Sequence, residues 1–97
     1  MILDPIKDLS EAVPGIKYHH EWFDGRGYPE GLKGEQIPFI AAIIAVADCF
    51  DAMTTDRPYR KAFSKEQAIA ELMQCSGSQF HPQVVKATIA LYKKGEL

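Results

Sequence analysis

Two adjacent histidines, His19 and His20, are the first residues of this 97-residue chain that could do chemistry. Neutral imidazoles are common ligands of divalent metals. Adjacent residues on a helix point about 100° apart, so both rings can serve one metal, or two neighbouring metals, only near a helix end. By itself the pair does not separate a metal site from two surface histidines. Asp48 says more. It lies within the most apolar stretch of the chain, Pro38 to Met53, where an unpaired buried carboxylate would cost roughly several kcal/mol. Either an internal network satisfies it or a cation compensates it. Asp51 stands three residues on, on the same helical face, and could seek the internal partner while Asp48 acts as ligand.

The three arginines, Arg26, Arg57 and Arg60, all fall in predicted loops and turns. Arg57 and Arg60, spaced around Pro58, suit a bidentate grip on phosphate or carboxylate. Salt bridges to Asp51, Asp56 or Glu66 are the plainer reading of the same placement. Four of the seven glycines, Gly25, Gly27, Gly31 and Gly34, crowd one short segment with Pro29. That loop could cradle phosphate, yet it matches neither GxGxxG nor a Walker pattern. Trp22 and Phe23 read as core or loop-anchoring aromatics. Cys49 reads as a buried free thiol with no activating neighbour.

The elements that must position these groups are helices. Asp4-Pro5 starts one, with Ile6, Leu9 and Val13 at helical spacing until Pro14. A short second piece from Pro14 carries Ile16, Tyr18 and the histidine pair. The glycine-rich loop follows, too dense in glycine for a regular helix. Pro38 then opens the strongest element, apolar on nearly every face, which predicts a central buried helix through Met53. A buried strand at Ile43–Val46 is the rival, but sixteen residues with five alanines favour helix. Asp56–Arg60 is a turn set by Pro58. Ser64 and Gln67 form a capping box ahead of the stripe Ala68, Ile69, Leu72 and Met73, which stops at Gly77. His81-Pro82 begins the last helix, with Val84, Val85, Ile89 and Leu91 inward. No alternating run or repeat suggests a sheet or an array. The predicted fold is all-α.

Composition bounds the rest. The chain is 46% hydrophobic and 25% charged, and 24 of its residues are Leu, Ile, Val or Phe, so it is a globular domain rather than a disordered tail. Its net charge of -2 gives no drive toward nucleic-acid polymers or anionic membranes. No apolar run is long enough to span a bilayer and no signal peptide is apparent. Two cysteines far apart suggest neither a zinc knuckle nor a disulfide scaffold. A soluble, cytoplasmic single domain is expected.

The run from His19 to Pro38, HHEWFDGRGYPEGLKGEQIP, resembles the signature of the HD-GYP family. VADCFDAMTTDRPYR, from Val46 to Arg60, resembles that family's second signature, and Phe80–Val85, FHPQVV, is similar to its closing Phe-Asp-Pro-x-Val-Val. The resemblance runs from Pro5 to about Leu91. It implies an all-helical domain of the HD superfamily with two or three metal ions, often iron or manganese. It also implies hydrolysis of the second messenger cyclic di-GMP to pGpG or GMP. By position, His19, His20 and Asp48 resemble metal ligands, and Arg57 and Arg60 resemble the basic pair that holds substrate phosphate. Gly27, Tyr28 and Pro29 form the name-giving loop, associated with substrate access and with contacts to GGDEF-type cyclases.

The departures are equally definite. The family domain is about twice this length, and its first half carries a His-Asp dyad that this sequence lacks. The chain therefore reads as the C-terminal half of an HD-GYP domain, residues 1–97, with no catalytic residue assignable without the dyad. His81 falls where the family has a helix-capping Asp, Ala42 where it often has arginine, and Trp22-Phe23 where it has a basic-aromatic pair. Weak or no metal binding by the chain alone is expected. A binding module that docks a cyclase without catalysis is the alternative function. The all-apolar Pro38 helix, short of neighbours, predicts a homodimer or else a loosely packed, aggregation-prone monomer.

Overall fold

The computed structural model describes residues 14–97, so the predicted helix from Asp4-Pro5 lies outside the described residues. Residues 14–18 are helical and end in a turn at His19 and His20. A long loop with one 3-10 turn, Gly34–Gln36, leads to α1 (Phe39–Thr54). α2 (Lys65–Gln74) and α3 (Pro82–Lys93) complete the order, and no strand occurs among the described residues. The all-α expectation holds.

Local chemistry sets each boundary. Pro38 stands at the N-cap of α1, as its fixed φ favours. Ser64 caps α2 by accepting the Gln67 amide, and the Gln67 side chain accepts from the Ser64 amide in return. His81 caps α3. Its Nδ1 accepts the Gln83 N–H at 3.1 Å, so the ring carries its proton on Nε2 and donates to Glu35 at 3.1 Å. A neutral imidazole thus does at this helix start what a capping carboxylate does elsewhere. The ring is 6% exposed and edge-packed by Phe23 and Phe39, which ties the loop and the start of α1 to α3.

The three helices pack around Ala42, Val46, Met53, Ala68, Ile69, Leu72, Phe80, Val84 and Val85. Three sequence expectations need correction. α1 is not buried on all sides: Phe39, Ile40 and Ile43 are 51%, 46% and 41% exposed, because the described partners cover only part of its circumference. Met73 and Leu91, assigned to inward stripes, are exposed at the margins of α2 and α3. Both helices bury a narrower stripe than their apolar residues would allow. No helix among the described residues is long and apolar enough to cross a membrane.

Candidate functional site

The histidine pair lies in the turn just past the 14–18 helix rather than on the helix itself, at a helix end where adjacent imidazoles can face one ligand. Gly15 packs this segment against α1: a Cβ there would stand 2.7 Å from Ile44 Cδ1 and 3.3 Å from the Ile40 side chain, so a larger residue would have to displace the flexible tip of Ile44. Ile40, Ile44 and Asp48 are spaced by four on α1, and a helix face carries all three. Asp48 therefore arrives beside the pair one turn after the contact. His19, His20 and Asp48 line one cleft of about 130 Å³, together with Glu21, Cys49 and Ala52.

Within the cleft, His19 is oriented by the backbone. Its Nδ1–H donates to the Ile16 carbonyl at 2.6 Å, which leaves the Nε2 lone pair for a ligand. The two imidazole centroids are 3.9 Å apart and tilted by 41°, and the far face of the pair is covered by Tyr28, stacked 4.9 Å from His20. Asp48 is exposed rather than buried, which corrects the expectation of a buried carboxylate that needs either an internal network or a cation. It is a solvated carboxylate facing the cleft and carries no burial cost. Asp51, exposed as well, is not among the cleft residues. Burial pushes the Cys49 thiol up, with Cys75, Glu71 and Asp48 adding to the shift. It stays protonated, as the unactivated thiol of the sequence reading requires.

These donors suit a divalent metal in kind. Even so, no three His, Cys, Asp or Glu side chains among the described residues are grouped closely enough to hold one.

The glycine-rich loop is ordered by the chain around it. Phe23 and Asp24 donate backbone N–H to Gln79 and Ser78, and Gly34 donates to Phe23. Asp24 and Arg26 pair at 2.7 Å, and that guanidinium holds the Asp24 carboxyl below the usual carboxylate range. Gly27 passes so close to the backbone of His20, Glu21 and Trp22 that a Cβ would overlap it. The Tyr28–Pro29 bond is cis, and Tyr28 and Pro29 are exposed.

The predicted turn at Asp56–Arg60 is present, closed by reciprocal backbone hydrogen bonds between Arg57 and Arg60 at 2.9 and 3.2 Å. Neither arginine makes an ion pair to Asp51, Asp56 or Glu66 among the described residues. Asp56 instead accepts the Ala62 N–H at 2.7 Å. Arg60 donates to the Ala52 carbonyl in the last turn of α1 at 3.0 Å and to Lys61 at 3.1 Å, and lies over the Phe63 ring. Arg57 is exposed and projects from the turn. Because Ala52 also lines the cleft, Arg60 ties the turn to its rim.

Sequence reasoning missed Glu21. It is 3% exposed, and its carboxylate accepts N–H donors from Gly31 at 3.0 Å and Leu32 at 2.7 Å. The available signal was the number of loop amides that needed acceptors so near a carboxylate.

Comparison with known proteins places the chain in a family. A family model described as HD domain matches residues 1–84. A cyclic di-GMP phosphodiesterase of Thermotoga maritima is 47% identical over 76 residues, covering 78% of this chain and 21% of that protein. One from Pseudomonas aeruginosa is 40% identical over 100 residues, covering 100% of this chain and 24% of its own length. The crystal structure of a cyclic GMP-AMP specific phosphodiesterase of Vibrio cholerae superposes with a TM-score of 0.72 at 34% identity, over 82% of this chain and 18% of that one. The chain thus spans about a fifth to a quarter of the length of these curated relatives. Its helices, its histidine pair and its glycine-rich loop, taken with these matches, show that the chain belongs to the HD-domain family, among its HD-GYP phosphodiesterase relatives.

Proposed function

We propose that this chain is the C-terminal half of an HD-GYP domain, and that it supplies part of the site of a metal-dependent phosphodiesterase acting on cyclic di-GMP. The observation that carries the reading is one cleft lined by His19, His20 and Asp48 from two separate elements. In it, His19 and His20 present imidazole nitrogens and Asp48 a carboxylate to divalent metal, iron or manganese. Such a metal, when bound, supplies activation of water and neutralises charge on phosphate. Arg57 and Arg60 face the phosphate, where guanidinium charge is worth most as negative charge develops. Gly27, Tyr28 and Pro29 form the exposed edge available to a GGDEF-type cyclase. The working compartment is the cytoplasm.

Because three donors do not close a metal site, the purified 97-residue chain is expected to bind Mn²⁺ weakly and to leave cyclic di-GMP intact. Calorimetric titration and a nucleotide assay check this. Tight uptake of two metals, or robust turnover, would mean that the ligand set is wrong. Joined to a dyad-bearing N-terminal half, the same sequence is expected to hydrolyse cyclic di-GMP. The exposed Phe39, Ile40 and Ile43 favour a second copy across α1, since contiguous apolar surface on a soluble chain tends to be an interface. Light scattering on the chain is expected to give a dimer mass, and a monodisperse monomer at high micromolar concentration would overturn this.

A further inference from the structure

We infer that Glu21 is the positioning residue of His20: its buried carboxylate pins the loop, and the loop seats Tyr28 on His20. The inference deepens the proposed function, because His20 is one of the candidate metal ligands.

Glu21 directly follows His20, so the backbone that carries the imidazoles also carries the carboxylate. At 3% exposure the group is removed from water, and no cation pairs with it among the described residues. What satisfies it is the loop: Gly31 N–H on one oxygen at 3.0 Å and Leu32 N–H on the other at 2.7 Å. A buried anion held by two amides is a strong and mutual tether. If either side moves, the buried Glu21 carboxylate loses both of its donors at once.

The tether reaches His20 through Tyr28. The Tyr28 ring lies 4.9 Å from the His20 ring at an interplanar angle of 19°, yet Tyr28 is 61% exposed. Burial does not hold that ring in place. The course of the loop does, with one further stitch from the Tyr28 N–H to the His20 carbonyl at 3.3 Å. His19, by contrast, has its own anchor on the Ile16 carbonyl. Glu21 therefore governs His20 more than His19.

Proton and carbon spectra of the histidine rings, recorded at one pH on the full chain, test this. Tyr28→Leu removes the ring current and is expected to move the His20 ring protons downfield. Glu21→Gln is expected to move them in the same direction, although it touches neither ring. Glutamine keeps one acceptor but turns an N–H donor against the second loop amide. The double variant is expected to add nothing to Tyr28→Leu, and the Val46, Leu72 and Val85 methyl signals should stay in place. Unmoved His20 signals, alongside faster exchange of the Gly31 and Leu32 amides, would overturn the inference. If Glu21→Gln loses its methyl dispersion, an ester at the Gly31–Leu32 linkage removes the 2.7 Å donor and leaves Glu21 intact. The same His20 displacement is then expected, and its absence is again fatal to the inference. The readout contains no metal, so it is independent of ligation. Failure of Co²⁺ to broaden the wild-type His20 signals would count against the metal reading instead.

Discussion

Gly27→Ala is expected to be among the most damaging single-methyl changes in this chain. The added carbon would fall on the Trp22 amide nitrogen and the His20 carbonyl oxygen, and 2.6 Å from the Glu21 Cα. All three are backbone atoms, so no side chain can swing aside. Relief requires the loop to lift from the histidine segment, which breaks the Tyr28–His20 backbone bond and strains the Glu21 tether. Overpacking of this kind costs roughly 1–3 kcal/mol, and here the upper end applies because backbone must move. For a domain of this size that is a fall in melting temperature of roughly 12–24 °C. Gly34→Ala is the control. Its φ of +58° carries the left-handed penalty of about 1 kcal/mol, but nothing lies within 4 Å of its Cβ position. Thermal melts of the two variants, with limited proteolysis of the loop, make the comparison. Equal melting temperatures would mean that the loop does not depend on this close approach.

Much of the scaffold was legible because it is set by local chemistry. Pro38, the Ser64–Gln67 box, the Pro58 turn and the His81 cap each act within a few residues, and each appears where the pattern put it. The short helix ahead of the histidines is equally local, although it ends at residue 18 and leaves the pair in the following turn. What was not legible depends on which neighbours are present. Asp48 shares a helix with Val46, yet one faces the cleft and the other the core, and apolar content alone cannot tell them apart. Leu91 and Met73 fit inward stripes whose outer edges find no cover. Glu21 reads as an ordinary surface acid after two histidines. Its burial is created by amides ten and eleven residues downstream, beyond the reach of any periodicity. Arg60 was read for its charge, whereas its structural use comes from the fork geometry of the guanidinium on a helix-end carbonyl.

That last difference separates two arginines the sequence treats as a pair. In a complete HD-GYP domain carrying this sequence, Arg57→Ala is expected to weaken cyclic di-GMP binding about ten- to hundredfold. This follows from the loss of one charge-assisted phosphate contact worth roughly 1.5–3 kcal/mol. Stability and metal content should not change, since Arg57 is exposed and makes no ion pair among the described residues. Arg60→Ala should lose affinity and stability together. It gives up the hydrogen bonds to Ala52 and Lys61 and the seat over Phe63, and it uncovers the negative end of α1. Net hydrogen bonds of this kind contribute roughly 1 kcal/mol each, so a loss of about 1–2 kcal/mol is expected. Arg60→Lys keeps the charge but not the fork, and should recover more of the affinity than of the stability. Nucleotide titration, thermal melting and metal analysis of the three variants together check the split. If Arg57→Ala melts as early as Arg60→Ala, or sheds metal in step with affinity, both arginines are structural. The phosphate grip would then have to come from elsewhere on the cleft rim.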